Sequence, residues 1–168
     1  GEDRCVMEGK AFLVRFTTDW TCGLLWNKLY KRALFDGIFF EEGHKIDDEY
    51  FTYQGVMNAA KVVCDPRVVY NYRQRASSVM QSPAARAQIA VDRIDFMAKR
   101  REKVLERFPE LRREFDISFV DALCYLAKYP DNTEQSIRLL KYYARRYFLQ
   151  RGNTFPPRYL LKAVFLMY

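Results

Sequence analysis

Histidine is almost missing from this chain: His44 stands alone among 168 residues. A lone imidazole in the setting Gly43-His44-Lys45 gives no elbow-like context, so Ser-His and Cys-His nucleophilic sites are set aside. Cysteine is sparse too. The four thiols lie at positions 5, 22, 64 and 124, and none forms a C-x-x-C pair, so a zinc site is not expected. Cys64 and Cys124 sit among apolar residues and read as small core groups in a reduced, cytosolic protein. Neither G-x-G-x-x-G nor a phosphate-binding P-loop occurs, so the chain shows no nucleotide cradle of its own. No apolar run is long enough to span a bilayer. The polar start Gly1-Glu2-Asp3-Arg4 is no secretory signal, and Gly1 in place of an initiating Met reads as an artificial N-terminus.

What the chain does hold is apolar and aromatic mass. Hydrophobic residues make up 49% and aromatics 16% of it, which excludes a disordered chain and suffices for a packed core. Its length suits one domain, or one domain with an appendage. The net charge of +7 is unevenly placed. Residues 1–80 carry 11 Lys and Arg against 11 Asp and Glu, while residues 81–168 carry 17 against 10. Such an excess attracts phosphates, nucleic acid or an anionic membrane face, or simply coats solvated helix faces.

The two halves differ in pattern. In residues 1–80, short apolar runs alternate with turns. Leu24 to Arg32 reads as a strand, Ile38-Phe39-Phe40 as a short buried run, and Asp47-Asp48-Glu49 as the opening of a helix whose positive end those carboxylates face. Val62-Val63-Cys64 reads as a strand, Asp65-Pro66 as a turn and Val68 to Tyr72 as a second strand. Residues 81–168 read as helical. Ser82-Pro83 is a start signal, and an apolar stripe runs down one face until Pro109. Further helices are expected over Phe119 to Ala127, over about Thr133 to Leu149 and after Pro156-Pro157, the last with an apolar tail from Leu160 to Tyr168.

Three clusters could carry chemistry. Trp26-Asn27-Lys28-Leu29-Tyr30-Lys31-Arg32 is otherwise a strand with aromatic packing and solvated cations. Asp47-Asp48-Glu49 is otherwise a helix cap. Tyr70 to Ser78 is otherwise an edge strand running into a polar loop. In this order, with Phe39-Phe40-x-x-Gly43 between the first two, the clusters resemble the C-terminal half of bacterial family 2 glycosyltransferases. There a W-N-K-L-Y-R-R-like stretch precedes an acidic pair at a helix start, and a Y-x-Y-R strand and an R-x-x-S loop follow. The resemblance covers about residues 24–80, with Asp47 standing where Glu is usual.

That resemblance implies a fold class: α+β, the acceptor-side part of a GT-A-like α/β fold over residues 1–80, followed by a mostly α-helical region over 81–168. It implies transfer of a sugar from a nucleotide-sugar donor to a glycan or lipid-linked acceptor, with inversion; a cytoplasmic protein is expected, and the basic excess after residue 80 with the apolar tail from Leu160 points to the inner face of the membrane. By family position the general base is Asp48. Asp47, Trp26, Lys28, Arg75 and Ser78 are candidate acceptor or phosphate contacts, with a core position the other reading of Trp26 and a solvated cation that of Arg75. Mg²⁺ or Mn²⁺ would be held by the half carrying a D-x-D, which has no counterpart here, so no metal is expected on this chain. Peripheral membrane contact and self-association are further expectations, and nucleic acid is not an expected partner. The rival from another class is a non-catalytic basic helical module that binds a polyanion or a protein.

Overall fold

The computed structural model describes residues 4–73, 75, 82–128, 133–148 and 159. The chain divides into two compact units, Gly1–Ser78 and Val79–Tyr168. It is a helix-dominated α+β protein, and its sheet among the described residues has two strands.

In the first unit, strand β1 (Cys5–Glu8) pairs antiparallel with strand β2 (Lys61–Cys64). Cys5 lies opposite Cys64, and Glu8 lies opposite Lys61, an opposite-charge pair that favours this register. Helix α1 (Gly9–Arg15) leaves β1 without a loop, and the Gly9 N–H donates to the Ala60 carbonyl at 3.2 Å. A Cβ at Gly9 would stand 1.9 Å from the Ala59 carbonyl oxygen, so only glycine fits this crossing. Helix α2 (Asp47–Asn58) carries all three acidic residues in its first turn. The core of the unit joins Phe12, Leu13 and Phe16 with Tyr50, Tyr53 and Val56. Beside α2, a 3-10 turn over Arg32–Phe35 stacks the Phe35 ring on Phe51, with centroids 4.3 Å apart and planes nearly parallel. Phe35 also covers Gly55, where a Cβ would meet its ring at 2.2 Å.

Three expectations for this unit are corrected. Residues 24–32 are not a strand: the Lys28 ammonium draws in the Thr21 and Leu24 carbonyls, which curls the backbone instead of extending it. Ile38-Phe39-Phe40 is not a buried run, since Phe39 and Phe40 are exposed and Phe40 serves as the outer ring of a stack on Phe51. Val68 to Tyr72 is exposed and unpaired with any described strand, because Asp65 captures both the N–H and the guanidinium of Arg67 and turns the chain at the end of β2. Cys64 and Cys124 are only half-buried, and Cys22 is the thiol in the core.

The second unit is built on helix α3 (Pro83–Arg107). The Ser82 hydroxyl accepts from the Ala85 N–H at 3.1 Å, as the start signal requires. Helix α3 ends at Arg107, just before Pro109 as expected; Pro109 opens a 3-10 turn, Pro109–Leu111, that leads into helix α4 (Arg112–Ala127), which begins well before Phe119. Helix α5 (Glu134–Phe148) is capped reciprocally by Thr133 and Ser136, at 2.8 and 3.2 Å. Ile94, Ala98, Phe119, Leu123, Leu140 and Ala144 lie in the core between the three helices. Within it Arg101 of α3 meets Asp116 of α4, with Nε and Nη2 2.9 and 2.8 Å from Oδ1. The guanidinium lies over the Tyr147 ring of α5, 4.1 Å from its centroid. The fourth helix and its apolar tail expected after Pro156 lie outside the described residues, apart from Tyr159, which is buried and donates to Asp121 at 3.0 Å.

Candidate functional site

The acidic turn and the Trp26–Lys28 loop come together in the first unit. Asp48 is half-buried at the start of α2, and its carboxylate accepts from its neighbour's N–H at Glu49 (3.1 Å) and from the backbone N–H of Leu25 in the facing loop. Burial raises the Asp48 carboxyl above the ordinary carboxylate range, the two N–H groups oppose the rise, and the adjacent Asp47 adds to it. The helix start alone predicts a carboxylate held firmly ionised; here desolvation outweighs it. Asp47 is exposed and accepts from the Asp48 N–H at 3.1 Å, which makes it a cap of the turn.

Lys28 departs from its expected role as a phosphate contact. Its ammonium points inward and donates to the Thr21 carbonyl (3.0 Å), the Leu24 carbonyl (2.6 Å) and the Asn27 side-chain oxygen. Burial pushes it from 10.5 down to about 8, against the pull of Cys22, Asp19, Asp48 and Cys64. Lys28 thus closes the loop whose Leu25 N–H reaches Asp48. Asp19 supports the same loop from its other end by accepting from the Thr21 N–H and hydroxyl at 3.0 and 2.6 Å.

Trp26 is not a core residue. It is 39% exposed and stacks on Tyr72 (5.1 Å, 13°) and Tyr70 (4.6 Å, 32°), both also exposed. The rings of the first and third clusters therefore form one aromatic surface. Arg75 is exposed, and among the described residues no contact joins it to Asp48. Ser78 lies outside the described residues. Among the described residues no group of three ligating side chains could hold a metal ion.

Two residues to which the sequence reading gave no role lie beside this loop. Tyr30 packs edge-on against Phe35, and its phenol, buried beside Thr52 and within the field of Asp48, is pushed up to about 12. Cys22 is buried beside Asp19, and its thiol is pushed up to about 11, by burial first. Neither type in its local pattern announces a site. Tyr30 lies within the field of Asp48, and Cys22 within that of Asp19 and Lys28.

Comparison of the chain with family models, with curated proteins and with solved structures finds no match. Nor is any helix among the described residues long and apolar enough to cross a membrane.

Proposed function

We propose that this chain is the acceptor-side piece of an inverting glycosyltransferase of GT-A type, with Asp48 as its general base. The observation that carries the reading is the Asp48 carboxylate. It is half-buried and raised by desolvation, yet it is fixed by N–H groups from two separate segments, Glu49 and Leu25. A base works best when its pKa is drawn toward neutrality and its position is fixed. Transfer requires a sugar hydroxyl to lose a proton as its oxygen attacks the anomeric carbon, and Asp48 would take that proton. The aromatic surface of Trp26, Tyr70 and Tyr72 offers ring faces and edges to a sugar nearby. Exposed Arg75 is left available to a leaving diphosphate. Among the described residues no group of ligating side chains fits a divalent cation. On this reading the cation and the nucleotide belong to a donor-binding half with its own D-x-D.

The rival, a basic module for a polyanion, is weakened by how the second unit uses its cations. Arg101 is buried on Asp116, Arg100 is buried over Phe96, and Lys99, Arg138 and Arg146 pair with Asp95, Glu134 and Glu102. The test is Asp48→Asn in a protein that carries both halves, with sugar transfer followed against a panel of nucleotide sugars. Turnover should fall at least about 100-fold. Near-normal turnover, or a larger loss from Asp47→Asn, would remove Asp48 from the role.

A further inference from the structure

The sheet of the first unit sets two thiols face to face. Cys5 on β1 and Cys64 on β2 are direct register partners in the antiparallel ladder. Directly opposed residues in such a ladder have Cα atoms about 4.5 or 5.5 Å apart, depending on the hydrogen-bonding class of the pair. Both separations fall inside the roughly 4.4–6.8 Å that a disulfide spans. Opposed residues also project their side chains from the same face of the ladder. Both residues are thiols in this structure. We propose that Cys5 and Cys64 form an oxidation site that takes a small disulfide, of the glutathione type, and closes into a cross-strand disulfide.

Exposure and charge assign the two sulfurs different parts. Cys5 is exposed and meets the oxidant first. Its thiolate attacks one sulfur of the small disulfide, breaks that bond, and releases one small thiol. Cys64 then attacks the Cys5 sulfur of the mixed disulfide and releases the second small thiol. The protein gives up two electrons and two protons, and the small disulfide is reduced to two thiols. Arg15 donates through Nη1 to the Cys64 sulfur at 3.6 Å, which favours the thiolate needed for the second step. Burial and the neighbouring Cys5 act in the other direction and keep Cys64 protonated while the pair is at rest. The site adjoins the Asp48 loop: the same guanidinium reaches Asp19 at 3.6 Å, and Cys64 is among the groups whose charge acts on Lys28. Cys22 is buried and serves as an internal control.

The experiment uses the whole chain, reduced and then incubated with millimolar glutathione disulfide. Samples are quenched in acid, unfolded, alkylated and analysed by mass spectrometry after digestion. The expected product has lost two hydrogens, takes up label only at Cys22 and Cys124, and yields one cross-linked peptide pair containing Cys5 and Cys64. Cys64→Ser should stop at a glutathione adduct on Cys5. A wild-type chain that keeps all four thiols, one that accumulates the adduct without closing, or a link made through Cys22 or Cys124 would overturn the proposal.

Discussion

Asp48 and Lys28 make opposite demands on pH, and both can be measured one residue at a time. Asp48 has a folded-state pKa above its unfolded value, so the fold holds the proton more tightly than the unfolded chain does. Its contribution to stability is present in acid and is lost as pH rises through the folded-state value. Asp48→Asn should therefore be at least as stable as the wild type at pH 7, with the gap closing toward acid. Chemical denaturation at several pH values checks this, and a destabilised Asp48→Asn at neutral pH would contradict it. Lys28 is depressed from 10.5 to about 8, so between those values the unfolded chain binds more protons than the fold. Wild type should gain stability relative to Lys28→Met as pH climbs from about 8 to about 10.5. A flat difference across that interval would mean the ammonium is solvated. The start of α2 was legible in the sequence because three carboxylates at a helix start are a local pattern, whereas the choice of Asp48 came from the family resemblance alone. The inward turn of Lys28 was not legible, since its partners are main-chain carbonyls, which every residue has.

At the scale of elements, legibility followed the range of the forces. Helix α3 was readable from Ser82 to its end because a capping hydroxyl, Pro83 and an apolar stripe all act within a few turns. Strand β2 was readable from its β-branched run. Residues 24–32 and 68–72 carry strand-like composition, but a strand needs a neighbour, and local chemistry at Lys28 and Asp65 bent the chain first. Pro109 was read as the stop of α3, which ends at Arg107, and its ring also opens the 3-10 turn that follows. The three helices of the second unit meet at Arg101, Asp116 and Tyr147. Asp116 is fully buried and Arg101 nearly so. Asp116→Ala should cost about 3–5 kcal/mol, because it strands a buried guanidinium. Replacing both partners, as Arg101→Met with Asp116→Leu, should cost much less. A double-mutant cycle by urea denaturation measures the difference. If the loss in the double variant equals the sum of the losses in Arg101→Met and Asp116→Leu alone, the pair is not coupled.

For the whole molecule, the two units differ in what they contribute. On the proposed reading every residue assigned to sugar transfer lies within Gly1–Ser78, and the second unit supplies packed helices. The chain alone should transfer no sugar. Asp48 can be positioned without a partner half, but on the proposed reading the metal and nucleotide contacts that stabilise the leaving diphosphate, usually the largest contribution to such catalysis, belong to the other half, and Arg75 does not replace them. Calorimetry with nucleoside diphosphates and Mn²⁺ should show no tight binding, and a donor-hydrolysis assay should show no turnover. Either signal would mean that the chain holds a donor site of its own.

The stacked indole of Trp26 has a use apart from any ligand. The chain has two tryptophans, Trp20 and Trp26, and both belong to the first unit. The second unit, by contrast, holds the three long helices α3, α4 and α5. Emission excited at the indole band therefore reports the first unit alone, while far-ultraviolet ellipticity is weighted toward the second. Melting the chain under both signals at once separates two thermal events that a single probe would merge, with no label and no cut between the units. Coincident curves would mean the units unfold as one cooperative body, and displaced curves would rank their stabilities directly.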